Sequence, residues 1–220
     1  MKQSKKTWES IIAISLLGVC SIAAFLFIFD NESALPVFNP SDFNPELVDV
    51  SLQNEATSHT VADFELLNQN GKTITQKDYE NKIYVTDFFF TRCPSICPVM
   101  SNNMEELQTV FLTNDAVKLL SISVTPEFDS VPILKAYAQK HKVIDTKWNI
   151  ATGEKKHIYN LARKSYFAVV NEGDGGMQDF IHTPNFILVD TKKQIRGVYD
   201  GTKDEEIQRL INDINVLVQL

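Results

Sequence analysis

The chain has no surplus of positive charge: 21 Lys and Arg stand against 28 Asp and Glu, a formal net charge of −7. Phosphate binding needs clustered cations, so this balance argues against nucleic acid as the main partner. Repeats and low-complexity tracts are missing, and no Arg-bearing, Ser-rich amphipathic leader of the mitochondrial import kind is present. Charge is absent altogether from residues 11–29 (IIAISLLGVCSIAAFLFIF). At 1.5 Å per residue this stretch spans about 28 Å, near the hydrocarbon thickness of a bilayer. Lys2, Lys5 and Lys6 precede it, and Asp30 and Glu32 come after it. The charge bias predicts one transmembrane helix with residues 1–10 in the cytoplasm and all later residues outside. A cleaved signal would end in small residues, whereas this run ends in bulky FLFIF. A lipoprotein cysteine at Cys20 would come after the unsuitable Val19, with the apolar run continuing past it.

The remainder of the chain reads as a tether and one domain. Residues 30–58 carry Pro36, Pro40 and Pro45 among polar residues, an extended spacer. Residues 59–220 have the length of a single domain, and the whole chain is 44% hydrophobic and 22% charged, as ordered proteins are. Residues 63–67 and 72–75 predict a hairpin, with Gly71 supplying positive φ. Residues 82–90 (KIYVTDFFF) and 117–124 predict strands buried on both faces. Residues 98–112, 130–140, 154–163 and 203–218 predict helices, 166–170 a short strand, and 185–190 with 195–199 a strand pair. A strand–helix–strand start demands a right-handed crossover. The expected fold is α/β and thioredoxin-like: a mixed central sheet flanked by helices, with an N-terminal hairpin extension.

The chemistry concentrates in Thr91-Arg92-Cys93-Pro94-Ser95-Ile96-Cys97-Pro98, where the first long strand passes into a helix. Pro98 is tolerated only in a first helical turn, so Cys97 is expected near the positive end of the helix dipole, with a lowered pKa. A structural disulfide across three intervening residues would constrain the unfolded chain little. Two such sulfurs can cycle through a disulfide or hold a soft metal. His182, just before the strand at 185–190, is placed beside them by the expected fold, and two thiolates with one imidazole suit Cu(I) and tolerate Cu(II). Met100, Met104 and Trp148 read as core, Cys20 as inert, and His59, His141 and His157 as surface. Asp87 inside an apolar strand has no evident partner. Pro184 predicts a cis bond after Thr183.

The segments DFFFTRCPSICPVM (87–100), SISVTPEFDS (121–130), FIHTPNFILVD (180–190) and IRGVYDGT (195–202) resemble the Sco/SenC family of copper proteins for cytochrome oxidase assembly. The resemblance implies copper held by Cys93, Cys97 and His182 and delivered to the binuclear CuA centre of cytochrome c oxidase subunit II. The dithiol must be reduced before it holds copper, so a thioredoxin-like reductant outside the membrane is expected as a partner beside a copper donor; the charge bias makes the chain a single-pass protein of the bacterial cytoplasmic membrane with its C-terminal domain on the periplasmic side. Thr125-Pro126-Glu127 replaces the Asp-Pro-Glu of many relatives, removing an acidic group expected near copper. Two functions stay open: a copper chaperone without turnover, and a membrane-tethered thiol–disulfide oxidoreductase that uses Cys93 and Cys97 as its redox pair to reduce the CuA-site cysteines or to sense redox state. A thiol peroxidase is disfavoured by the CPxxCP pattern.

Overall fold

The computed structural model describes residues 35–43, 59–169 and 179–219, together with Gly18, Ser21 and Gly176. Residues 1–34 and 35–220 are separate units. Gly18 and Ser21 are helical; the rest of the expected 11–29 span, with Cys20, lies outside the described residues, as does 44–58 of the expected tether. Among the described residues no helix is long and apolar enough to cross a membrane.

Seven strands form one sheet: β1 (Glu65–Asn68), β2 (Thr73–Thr75), β3 (Ile83–Phe89), β4 (Val117–Ser123), β5 (Trp148–Thr152), β6 (Asn185–Val189) and β7 (Ile195–Asp200), in the order β2-β1-β5-β4-β3-β6-β7. Helices α1 (Ile96–Val110) and α2 (Val131–Lys140) carry the β3-to-β4 and β4-to-β5 crossovers, so those strands pair in parallel. Helix α3 (Lys155–Asn160) runs into a π-helical turn, Leu161–Ser165, and α4 (Asp204–Val218) closes the chain. β6 returns antiparallel to β3, with Asp87 opposite Phe186, and turns into β7. This is the mixed, thioredoxin-like sheet expected, with the β1–β2 hairpin at its front and Gly71 at φ 71°.

Alternation along β3 divides the core. Ile83, Val85 and Phe89 face Met100, Met104 and Leu107 of α1 and Leu210 and Ile214 of α4. Tyr84 and Phe88 face Ile158, Tyr159, Leu161, Ala162 and Tyr166. All seven residues of β3 are buried because helices cover both faces, which is why the sequence shows a continuous apolar run there. Residues 35–43, inside the expected tether, lie along β7. Phe38 N–H donates to Ile195 O at 2.9 Å, and the Phe43 ring lies 4.9 Å from that of Phe167.

Two local expectations are corrected and one strand is added. Residues 166–169 of the expected strand at 166–170 are not a strand, and residue 170 lies outside the described residues: Tyr166 N–H and Ala168 N–H bond back to Leu161 O and Ala162 O, and Phe167 has φ 47°, which extended backbone cannot contain. β5 is an additional strand, with Trp148 and Ile150 pointing to one core and Ala151 to the other. The Thr183–Pro184 bond is trans, the intrinsically preferred isomer; Thr183 Oγ1 donates to Ala168 O and Pro184 O accepts from Gly201 N–H in that geometry.

Asp87 has a partner. Ser121 Oγ donates to its Oδ1 at 2.5 Å, and Trp148 Nε1–H donates to Ser121 Oγ at 3.0 Å. Burial nevertheless pushes its pKa up to about 7, with the Ser121 hydrogen bond only partly opposing it. Because the folded-state pKa lies above the unfolded one, the native state binds the extra proton, so Asp87 removes stability as pH rises from about 4 to about 7. Asp87→Asn, which keeps an acceptor for Ser121, is expected to flatten the dependence of the unfolding midpoint on pH between 5 and 7.5. An unchanged slope in denaturant titrations across that range would contradict this assignment.

Candidate metal centre

β3 ends at Phe89, and a four-residue turn brings the chain to Cys93, whose N–H donates to Phe90 O at 3.3 Å. The turn is fixed from below by Asp129, fully buried. Its carboxylate accepts from Thr91 N–H (3.1 Å), Thr91 Oγ1 (2.6 Å), Ser123 Oγ (2.6 Å) and Thr125 Oγ1 (3.0 Å). The Thr125 hydroxyl is thus spent on this anchor. α1 begins at Ile96, two residues earlier than Pro98; the proline sits in the first turn, where its missing N–H costs nothing.

His182 arrives from the other end of the chain. The antiparallel pairing of β3 with β6 puts the segment before Asn185 next to the segment after Phe89. Cys93 Sγ and His182 Nε2 are 3.5 Å apart, and the donor atoms of Cys93, Cys97 and His182 lie within 4.8 Å of one another. Bonds of about 2.3 Å to thiolate and about 2.0 Å to imidazole let one ion bridge donors up to roughly 4.6 Å apart, so a slight contraction closes the site. Two thiolates and an imidazole form a soft donor set. Both cysteines are free thiols and buried in the core beside Met100 and Met104, whereas His182 is exposed. Its ring is flanked by Phe90 at 5.8 Å and Phe180 at 6.2 Å between centroids. A cleft of about 480 Å³ opens alongside, lined by Phe90, Arg92, Phe128 and Phe180 among others.

The two thiols are unlike, in the opposite sense to the sequence expectation. Burial resists ionisation of Cys93, but the N–H groups of Cys97 and Ser95, the Ser95 hydroxyl at 3.6 Å and the Cys97 thiol together outweigh it, and its pKa falls to about 6. Burial pushes Cys97 up, and the neighbouring Cys93 and Asp87 charges push it further. The reason is the early helix start: Cys97 is already inside the first turn and packed into the core, while Cys93 lies ahead of the N-terminus and collects its N–H groups.

Of the other histidines, His141 is not a surface residue, and His59 and His157 are only partly exposed. His141 is 4% exposed, with Nδ1 2.7 Å from Glu105 Oε1 and its ring tilted against that of Tyr137, 4.5 Å between centroids. His59 Nε2 lies 2.7 Å from Ser165 O, and His157 is half-buried. Ser95 and Asp129 contribute to the site without any signal in the sequence; no spacing rule marks a hydroxyl or carboxylate that acts through a folded turn.

Thiolate absorbance is expected to report one thiol titrating near pH 6, so that it is more than half ionised at neutrality. Cys93→Ser should abolish that titration and Cys97→Ser should retain it. The reverse pattern would contradict the assignment.

Residues 52–219 match the SCO1/SenC family. The SCO1 protein homolog of Bacillus subtilis is 31% identical over 159 residues, 71% of this chain and 82% of its own length. The solved structure of BsSco, described as a member of the Sco family of cytochrome c oxidase assembly proteins and as containing a disulfide switch, is 30% identical and superposes with a TM-score of 0.63 over 74% of this chain and 95% of its own. Bradyrhizobium japonicum ScoI with copper bound, 23% identical, shares the fold with a TM-score of 0.54 over 70% of this chain and 98% of its own. With the family matched over most of its length, and the CPxxCP turn and His182 brought to one place by the sheet, this chain belongs to the SCO1/SenC family.

Proposed function

We propose that this protein is a copper metallochaperone that takes up Cu(I) or Cu(II) on Cys93, Cys97 and His182 and delivers it to the CuA centre of cytochrome c oxidase subunit II. One observation carries the reading: two sulfurs and one imidazole nitrogen, from residues 89 positions apart, lie within 4.8 Å of one another. Copper in a family relative and oxidase assembly in another support the choice of ion and target. Residues 11–29 hold the protein in the bacterial cytoplasmic membrane, with the domain on the periplasmic side, where subunit II carries its copper.

The division of labour comes from the geometry. Cys93, ionised at neutral pH, makes first contact with copper offered by a donor. Cys97 releases its proton as the second bond closes, which makes loading pH-dependent. His182, exposed at the mouth, is the ligand an acceptor reaches first, and its departure leaves a two-coordinate dithiolate from which an incoming thiolate can take the ion. The half-exposed rings of Phe180, beside it, and Phe128, in the adjoining cleft, offer apolar surface for that encounter.

A second reading rests on the same thiols. A low-pKa Cys93 next to a protonated Cys97 is the arrangement of a dithiol reductant: Cys93 thiolate attacks a partner disulfide, and Cys97, on losing its proton, resolves the mixed disulfide, leaving Cys93–Cys97 oxidised and the partner as two thiols. A thioredoxin-like reductant would then restore the pair. That reaction does not need His182.

Anaerobic copper titration of the full chain in detergent separates the two. His182→Ala is expected to weaken Cu(I) binding by about tenfold or more and to leave disulfide exchange at the wild-type rate, while Cys93→Ser and Cys97→Ser lose both. Copper binding unaltered in His182→Ala, together with rapid exchange in the wild type, would favour the reductant.

A further inference from the structure

His182 lacks the support that metal-binding histidines commonly have. Its Nε2 faces Cys93 Sγ, and among the described residues Nδ1 has no carboxylate or carbonyl to orient it. The ring is exposed, and its neighbours Phe90 and Phe180 touch it only through ring contacts at 5.8 and 6.2 Å. The main chain that carries the ring is, by contrast, pinned on both sides.

On the N-terminal side, Asp179 forms a two-pronged ion pair with Arg163. Nη1 to Oδ2 and Nη2 to Oδ1 are both 2.6 Å, with side chains only 7% and 11% exposed. Asp179 O also accepts from Tyr159 Oη at 3.1 Å, and the same hydroxyl lies 3.2 Å from Val124 O at the end of β4. On the C-terminal side, Thr183 Oγ1 and Asn185 Nδ2 both donate to Ala168 O, at 2.8 and 2.9 Å. Between these pins run only Phe180, Ile181 and His182, with Ile181 itself 1% exposed. Arg163 belongs to the π-helical turn whose Leu161, Ala162 and Ser165 are buried against the sheet. Such turns are rare and recur at functional sites.

We infer that Arg163, through its paired hydrogen bonds to Asp179, is the positioning residue for His182, setting the imidazole against the two thiols in place of the missing Nδ1 partner. This positioning role rests on copper being held by these three residues. A guanidinium fork fixes a carboxylate in both distance and plane, which a lysine cannot do. Because the fork sits three residues from the ligand on a short arch, a tilt of Asp179 swings the ring out of range without touching either cysteine.

The test uses the full chain in detergent. The main variant is Arg163→Met with Asp179→Leu, which replaces the ion pair by apolar volume. With both thiols still reactive and circular dichroism unchanged, this variant is expected to lose the nitrogen hyperfine signal of bound Cu(II) and to bind Cu(I) about 10- to 100-fold more weakly. Placed in His182→Ala, the same pair of substitutions should change copper binding no further, since the ligand it positions is already gone. Arg163→Lys, which keeps the charge and loses the fork, should show a partial loss of nitrogen coupling and reads the same question should the double variant not fold. A wild-type Cu(II) spectrum and affinity in either folded variant would overturn the inference, as would an equal loss in the His182→Ala background. If His182→Ala alone binds copper as the wild type does, the three-ligand reading fails instead, and the clamp with it.

Discussion

The pairing of β3 with β6 at the middle of the sheet is the constraint on which the rest depends. It joins the end of the first long strand to the start of a strand about one hundred residues later, and it runs antiparallel, so the turn after Phe89 and the arch before Asn185 lie together at one end of the strands. The register is locked on both faces, because every residue of β3 is buried and a slip by one would turn Tyr84 and Phe88 into the wrong core. Metal-centre geometry is therefore inherited from core packing. The cysteines are part of the hydrophobic cluster under α1, while the histidine stands outside it, so the centre has a fixed, buried half and an exposed half carried on a short arch.

That asymmetry organises the electrostatics. Cys93 collects the N-terminal N–H groups of α1; Cys97, one helical position too far in, is screened from water and faces the Asp87 side of the core. At neutral pH the empty centre thus holds one thiolate and one thiol, and a single negative charge is easier to keep next to the core than two. Binding a soft cation supplies the charge that lets the second thiol ionise. The same inequality would give a dithiol reductant a nucleophile and a resolving group, so the proposed copper transfer and the alternative thiol exchange would draw on one arrangement, distinguished by whether the imidazole takes part.

Much of this is legible in the sequence. The apolar run at 82–90 can only be a strand covered on both faces, Pro98 fixes the neighbourhood of a helix start, and Gly71 marks the hairpin. The approach of His182 to the cysteines comes from strand order. The features that are not legible depend on contacts between distant residues. β5 is five residues, two of them polar, and declares itself only through its parallel pairing with β4. The backbone of Phe167 is left-handed because the preceding π-helical turn captures the N–H groups on either side of it, and nothing in its residue type announces this. His141 finds Glu105 thirty-six positions away, and Asp87 finds Ser121 thirty-four away. The thiol assignment reverses because two residues of helix start decide which sulfur lies ahead of the dipole and which lies within it.

X-ray absorption on the copper-loaded full chain, recorded anaerobically at neutral pH, reports the first coordination sphere directly. A centre built from both cysteines and the distal histidine predicts two sulfur scatterers and one nitrogen with the multiple-scattering pattern of imidazole, the nitrogen vanishing in His182→Ala. Sulfur-only coordination in the wild type, or an imidazole signal that survives loss of His182, would contradict it.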